Sequence, residues 1–242
     1  KEVLQESIAR VLQEIQKVNK NIVLVVMSGR PLDLSWEDQN IPAIVQAWHL
    51  GSKSGDAIAQ VLYGDYNPSG KLTMSFPRNV GQVPVYYNFK NTGRPSTSIE
   101  QVTNSGYADV ENSPLYSFGY GLSYTEFKYS DFEISSSTMT KDSKINASIR
   151  VTNTGNYKGE EVVQLYLRDI VGSIARPMKE LKGFEKIELN PGESKVVNFE
   201  IENSLLEFYS YNNVWESEPG KFHVFIGTDS NVRDHKEFYL TN

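Results

Sequence analysis

The run IVLVVM at residues 22–27 decides the first half of the fold. This continuous stretch of aliphatic and β-branched residues is typical of a strand in the interior of a parallel sheet. Five apolar residues before it share one helical face: Leu4, Ile8, Val11, Ile15 and Val18. A helix is therefore predicted ahead of the strand, and cations at Lys17 and Lys20 suit its C-terminal end.

The residues after this run continue the alternation of helix and strand. Residues 43–48 (AIVQAW) form a second candidate strand, and residues 56–63 form a short candidate helix behind a glycine-containing turn. Helix, strand, strand, helix predicts an α/β layer with a parallel sheet. Two strands make only the tail of such a domain, so we expect a piece of a longer protein and some uncovered apolar surface around residues 22–27.

The hydrophobic period changes from 3.6 to 2 beyond about residue 126. Four segments alternate apolar and polar residues, near 145–151, 163–167, 197–201 and 222–226. Turn signals such as Asn-Pro-Gly separate them, which predicts an antiparallel, immunoglobulin-like β-sandwich. The predicted fold is thus α/β plus all-β.

Three parts of the chain follow from this change of period. We predict the α/β part over residues 1–95, a connector over 96–126 and the sandwich over 127–242.

Composition excludes several classes of protein. With 39% hydrophobic residues and no cysteine among 242, the chain is not expected to be disordered or disulfide-stapled, and thiolate metal sites are excluded. No apolar run reaches the roughly 18 residues of a membrane span. Residues 1–95 hold 10 basic and 8 acidic residues, whereas the remainder holds 14 and 22. This acidic second half disfavours nucleic acid and anionic membranes as partners.

Two short glycine motifs fail as chemical sites. Residues 64–71 (GDYNPSGK) resemble a phosphate loop, but the spacing is one residue too long and Leu72 replaces the magnesium-binding hydroxyl. Residues 51–55 (GSKSG) place Lys53 where a hydrolase elbow needs serine. Both are predicted to be turns.

Histidines and carboxylates give no site from sequence alone. His49, His223 and His235 stand apart along the chain, so no metal ligation is expected. Five acids lie in the first part beyond the predicted first helix: Asp33, Glu37, Asp38, Asp56 and Asp65. No apolar setting is evident that would raise the pKa of one of them, and no catalytic pair can be named.

Longer motifs resemble glycoside hydrolase family 3, in the branch with bacterial periplasmic β-glucosidases. Before the sandwich they are residues 25–32 (VVMSGRPL), 57–77 (AIAQVLYGDYNPSGKLTMSFP), 83–88 (VPVYYN), 91–95 (NTGRP) and 114–125 (PLYSFGYGLSYT). In the sandwich, residues 151–155 (VTNTG), 161–166 (EVVQLY) and 176–186 resemble the family's fibronectin type III-like domain. The resemblance runs in order along essentially the whole chain.

The resemblance implies a retaining, exo-acting β-glucosidase that needs no cofactor or metal. In that family an N-terminal (β/α)8 barrel carries the aspartate nucleophile, and the acid/base glutamate precedes the position of Lys1. The chain is therefore expected to hold no catalytic residue and to act through that barrel on β-glucoside oligosaccharides. A periplasmic or secreted location is implied, although residues 1–6 lack a signal-peptide pattern. A homodimer is compatible with the resemblance.

One substrate-binding residue is implied within the chain. The arginine of the family's Thr-Gly-Arg-Pro loop lies at the leaving-group subsite, and Arg94 matches it. Its planar donor fork suits vicinal sugar hydroxyls. An exposed loop arginine is the alternative. The family's following Arg-Tyr pair is replaced by residues 105–107 (SGY), which leaves the preferred linkage open.

Two other functions stay open. A non-catalytic carbohydrate-binding module is one, with Tyr209, Tyr211 and Trp215 as a candidate aromatic face. A purely structural β-sandwich module is the other.

Overall fold

The computed structural model describes residues 2–94 and 105–242. Its first region contains three helices and two strands: α1 (Glu2–Val18), β1 (Val23–Val26), α2 (Ser35–Asn40), β2 (Ala43–Gln46) and α3 (Ser54–Tyr63). A single 3₁₀ turn, Val80–Gln82, follows. Among the described residues, no helix is both long and apolar enough to cross a bilayer.

Strands β1 and β2 pair in parallel, with Val23 opposite Ala43 and Val26 opposite Gln46. This confirms the predicted parallel sheet with flanking helices. Its core is small, since Val26, Leu34 and Phe76 are the fully buried members of one cluster. The ring of Trp48 packs edge-on against Phe76 at 5.9 Å.

Much of the apolar surface of this region is open, as the sequence predicts for an incomplete layer. Val23 and Met27, at the two ends of the central run, are 51% and 56% exposed. On α1, Val11 is 57% and Val18 86% exposed. A two-stranded sheet has no further strand to cover these side chains.

The second region is the predicted β-sandwich, and its strands are β3 (Phe127–Ile134), β4 (Thr138–Met139), β5 (Ile145–Asn153), β6 (Gly159–Asp169), β7 (Glu180–Leu189), β8 (Ser194–Ile201), β9 (Phe208–Tyr209), β10 (Trp215–Glu216), β11 (Gly220–Gly227) and β12 (Lys236–Leu240). A one-turn helix, α4 (Asn203–Leu206), precedes β9. One sheet has the order β3-β5-β8, and the other has the order β4-β12-β11-β6-β7. The alternating residues face inward: Ile145, Val163, Val224 and Phe238 are fully buried.

The loop after α3 joins the two regions. Gly64 ends α3 in the left-handed conformation, with φ of 82°, which favours glycine. The glycine motif that resembled a phosphate loop then turns toward the start of β6. It forms a contact that we call the joint, made by residues 66–71 and residues 158–161.

A buried ion pair lies at the centre of the joint. Lys71 Nζ donates to both carboxylate oxygens of Glu161, at 3.0 and 3.1 Å, and their side chains are only 11% and 5% exposed. The hydroxyl of Tyr129 donates to the same carboxylate at 3.0 Å. At the edge, the hydroxyls of Tyr66 and Ser69 donate to Glu160. The motif therefore has a structural role.

Residues 105–126 return to the first region. The amide of Phe76 donates to the carbonyl of Tyr116 at 2.8 Å, and the amide of Leu72 donates to Tyr120 at 2.8 Å. The hydroxyl of Tyr124 reaches the carbonyl of Val61 at 2.6 Å. This stretch closes over the strands of the α/β region before the chain enters β3.

Candidate functional site

The segment that we call the rim loop, residues 83–94, leaves the 3₁₀ turn and lies against the sandwich. Its carbonyl at Phe89 accepts a hydrogen bond from the amide of Met178 at 2.8 Å, and Lys90 pairs with Pro177 as an isolated bridge. Tyr87 anchors the loop further, because its ring stacks on Phe118 with centroids 4.2 Å apart. Both regions therefore hold this loop in place.

Arg94 ends the described part of the rim loop and is exposed. Its backbone carbonyl accepts a hydrogen bond from the amide of Ser105 at 2.7 Å. Within residues 2–94 and 105–242, no ion pair or hydrogen bond of its guanidinium is found. Pro95, the last residue of the matched loop, lies outside the described residues.

Ser105 is hydrogen-bonded to the backbone of Arg94. This places Tyr107, two residues after Ser105, near the Arg94 backbone in space. Its ring is 40% exposed, and its hydroxyl donates to the carbonyl of Gln82 at 3.4 Å. The amide of Tyr107 donates to Asn112 Oδ1 at 2.9 Å. The phenol of Tyr107 is thus held in place two residues after Ser105, the backbone partner of Arg94.

An open cleft of about 310 Å³ lies beside this surface, between Asn91 and residues 168–178. Arg176 and Asp169 form an ion pair at its base, with Nε and Oδ2 3.3 Å apart. Burial raises the pKa of Asp169 despite the nearby guanidinium. Arg176 also pairs with Glu180 at 3.2 Å and covers the ring of Phe208 at 4.0 Å. The cleft floor is therefore rigid and polar.

Glu37 corrects the expectation that no acid of the first region has an apolar setting. It lies in α2 between Leu34 and Ile41 on one helical face, and all three residues are buried. Burial raises the pKa of its carboxyl, and Asp33 raises it further. The spacing of Leu34, Glu37 and Ile41 could have indicated that they share one buried helical face. The polar composition of this six-residue helix made that face hard to recognise.

Asp38, the next residue, takes a different partner. It accepts a hydrogen bond from the hydroxyl of Tyr116 at 2.6 Å, and burial together with this bond raises the pKa of that phenol. The side chains of Glu37 and Asp38 therefore have different surroundings, since Glu37 is buried and Asp38 is hydrogen-bonded to Tyr116. Asp56 pairs with Lys53 at 3.1 Å on exposed helix α3.

The histidines require a second correction. His223 and His235 are not isolated, because their rings stack with centroids 4.1 Å apart and both approach Glu237. Hairpin pairing of β11 with β12 brings them together across twelve residues of sequence. His49 is exposed in the first region and lies outside this group.

The candidate aromatic face is present on the β9–β10 hairpin. Tyr209 and Trp215 pack edge-on with centroids 6.0 Å apart and an interplanar angle of 65°. Tyr211 is 82% and Trp215 69% exposed.

Comparison with known proteins gives the family. Residues 3–124 match the glycosyl hydrolase family 3 C-terminal domain, and residues 161–230 match a fibronectin type III-like domain. The chain belongs to glycosyl hydrolase family 3. The family and the two-part fold that the sequence motifs implied are thereby confirmed.

Relatives within family 3 are similar over most of this chain. It is 54% identical to a periplasmic beta-glucosidase of Salmonella typhimurium over 217 residues, which is 89% of this chain and 28% of that protein. It is 42% identical to a putative beta-xylosidase of Formosa agariphila, over 90% of this chain and 28% of the relative. A crystal structure of a beta-glucosidase from Listeria innocua superposes with a TM-score of 0.91 at 38% identity, covering 98% of this chain and 33% of that one. The chain thus spans about 28–33% of the length of these relatives.

Proposed function

We propose that this chain acts as the C-terminal part of a family 3 β-glucosidase that removes terminal β-D-glucosyl residues from oligosaccharides with retention of configuration. The observation that carries this proposal is the 54% identity to a periplasmic beta-glucosidase along nearly the whole chain. The proposed division is residues 1–95 for the end of the α/β domain, 96–126 for a connector and 127–242 for the sandwich.

In the proposed enzyme, bond breaking belongs to an N-terminal (β/α)8 barrel and the segment after it. A carboxylate attacks the anomeric carbon while a second carboxyl protonates the leaving oxygen, and water then hydrolyses the glycosyl-enzyme. No residue of this chain is proposed as nucleophile or acid/base, and no cofactor or metal is needed for this step. The exposed apolar side chains of Val11, Val23 and Met27 support a partner domain packed on the α/β region.

Arg94 is proposed to bind the leaving-group sugar at the rim. Its exposure and the two-sided anchoring of residues 87–90 support this role. A planar fork of donors on a fixed loop suits two neighbouring hydroxyls, and it lies outside the bond-breaking centre.

The first test measures hydrolysis of nitrophenyl β-D-glucoside by the purified 242-residue chain. No turnover is expected, because neither catalytic carboxylate is assigned to it and little transition-state stabilisation is left without them. Activity of the chain above that of a mock purification would overturn this part of the proposal. Nitrophenyl β-D-xyloside, assayed with the full-length enzyme, separates a glucosidase from a xylosidase.

The second test is Arg94→Ala in the full-length enzyme. Losing a charged hydrogen bond costs about 1.5–3 kcal/mol, so kcat/KM for disaccharides should fall roughly ten- to hundredfold. A nitrophenyl glucoside lacks the leaving-group hydroxyls and should change much less.

Lys90→Ala is the matched control, since it removes an exposed cation from the same loop. Equal losses on both substrates would show that Arg94 acts on folding or chemistry. No loss on either substrate would show that Arg94 is an exposed loop arginine with no role in substrate binding.

A periplasmic or secreted location and a homodimer complete the proposal. The location is supported by the similarity to the periplasmic beta-glucosidase of Salmonella typhimurium. Fractionation of cells that express the full-length protein tests it, and light scattering of the purified enzyme tests the dimer.

A non-catalytic sugar-binding role for the sandwich is the second candidate, because Trp215 and Tyr211 are so exposed. Titration of the chain with cello- and laminari-oligosaccharides, followed by tryptophan fluorescence, tests it against a Trp215→Ala variant. Binding that Trp215→Ala abolishes favours this role, and no binding favours a scaffold.

A further inference from the structure

The strongest cluster outside the rim lies on the outer face of the larger sheet. His223 on β11 stands directly opposite Glu237 on β12, and His235 precedes Glu237 by two residues. Residues two apart on a strand point to the same face, so all three side chains share one side of the hairpin. Their neighbours Phe222, Val224 and Phe238 point the other way, into the core.

The three side chains bring their donor atoms together. His223 Nε2 lies 3.0 Å and His235 Nε2 lies 3.9 Å from Oε1 of Glu237. One ligand atom from each residue lies within 4.8 Å of the other two. Donors that lie 2.0–2.2 Å from a tetrahedral metal ion are about 3.3–3.6 Å from one another, so small rotations of these side chains would bring the three atoms to ligating distances.

The carboxylate of Glu237 is shared between two kinds of partner. Lys221 Nζ pairs with its Oε2 at 3.0 Å, whereas its Oε1 faces the two imidazoles.

Two residues of the same sheet, Phe225 and Arg168, lie next to the histidines. Phe225 is buried, and its ring packs against His235 with centroids 5.3 Å apart. Arg168 stands opposite His223 on β6, and its charge opposes that of a cation. Two imidazoles and one carboxylate form a borderline donor set that suits Zn²⁺ better than Mg²⁺ or Ca²⁺.

We propose that His223, His235 and Glu237 bind a zinc ion on the outer face of the sandwich, with water completing a tetrahedral site. The ion would link β11 to the segment that leads into β12, and it is independent of the β-glucosidase proposal. Its effect is on stability, since a ligand that binds only the folded state stabilises it.

Isothermal titration of the untagged chain with zinc chloride, in a buffer that does not chelate metals, tests the proposal. One saturable site is expected. Zinc at a hundredfold excess over its dissociation constant should raise the melting temperature by roughly 5–10 °C. Magnesium chloride at the same concentration should leave it unchanged.

Variants identify the ligands. His223→Ala, His235→Gln and Glu237→Gln should each weaken zinc binding by at least roughly 10–100-fold, which is the loss typical when a group that only supports a metal ligand is removed. His49→Gln, an exposed histidine of the other region, should bind like the parent chain. His235 and Glu237 are exposed, so their variants should fold, and circular dichroism checks this.

Histidine ring ¹⁵N NMR provides a second readout, since zinc should shift the Nε2 resonances of His223 and His235 together. Absence of saturable binding overturns the proposal. Binding that the three variants leave unchanged overturns it as well.

Discussion

The α/β region and the sandwich bury their apolar residues very differently. In the sandwich, Ile145, Val151 and Val163 have no exposed surface, and one continuous core lies between its two sheets. In the α/β region a two-stranded sheet covers a three-residue cluster, and Val18 stays 86% exposed. The sandwich thus has a core of its own, whereas the α/β region depends on contacts made outside its sheet.

The joint supplies many of those outside contacts. Asn67 accepts hydrogen bonds from Ser123 Oγ and the amide of Tyr124, at 2.9 and 2.8 Å, and donates to the carbonyl of Lys158 at 3.0 Å. Lys71 and Glu161 add the buried ion pair. The free energy of unfolding of the α/β region should therefore depend on the joint, whereas that of the sandwich should not.

Breaking the ion pair should have the largest effect. Lys71→Met leaves Glu161 charged and buried without its cation, which typically costs about 3–5 kcal/mol. Urea unfolding should then show the α/β region melting first, by the fluorescence of Trp36 and Trp48 in a Trp215→Phe background, ahead of the β-sheet dichroism.

Lys186→Met is the matched control for that experiment. Lys186 pairs with Glu160 at 2.8 Å beside the same joint, but its side chain is 45% exposed, so the cost should stay below about 1 kcal/mol. Coincident transitions in Lys71→Met would show that the two regions unfold as one unit and would remove the contrast between them.

The next largest difference in stability is expected when apolar side chains of the two regions are shortened. Leu165→Ala in β6 empties space in a closed core and should cost about 2–5 kcal/mol. Val18→Ala on the exposed face of α1 should stay within about 0.5 kcal/mol. The free energy of unfolding from urea titrations measures both, and a large loss for Val18→Ala would mean that this face is covered in solution.

The smallest effect concerns pH and Glu37. Because burial raises the pKa of this carboxyl above its ordinary 4.5, its charged form destabilises the folded state, and the penalty grows as pH rises through the raised value. Glu37→Gln should therefore melt at a higher temperature than the parent at pH 7 and at the same temperature near pH 4.

Asp56→Asn is the control for that comparison, since its side chain is 68% exposed and should show no such trend. A stabilisation by Glu37→Gln that is equal at pH 4 and pH 7 would contradict the assigned cause.

Local patterns in the sequence were sufficient for about half of the described helices and strands. The run at residues 22–27 became β1, residues 43–48 contained β2, and the alternating segments became β5, β6, β8 and β11. These elements are predictable because burial on one or two faces leaves a period in the chain. The family motifs added the identity that periodicity lacks.

Positions that depend on register could not be predicted. His223 and Glu237 meet because β11 and β12 pair in one register. That register cannot be read from the composition of either strand. The glycine motif at residues 64–71 was predicted to be a turn, but its partners Glu160 and Glu161 lie about 90 residues later. Arg94 was selected through family resemblance, and its substrate contact stays a prediction.

The attachment of the rim loop to the sandwich has a consequence for exchanging parts between family members. Phe89 and Lys90 are held by Met178 and Pro177, which belong to the connection between β6 and β7. A chimera that imports a foreign sandwich with a longer or shorter connection would shift the loop that presents Arg94. Sandwich and rim loop should therefore be transplanted as a matched pair, and the length of this connection would alter where Arg94, the proposed leaving-group contact, is presented.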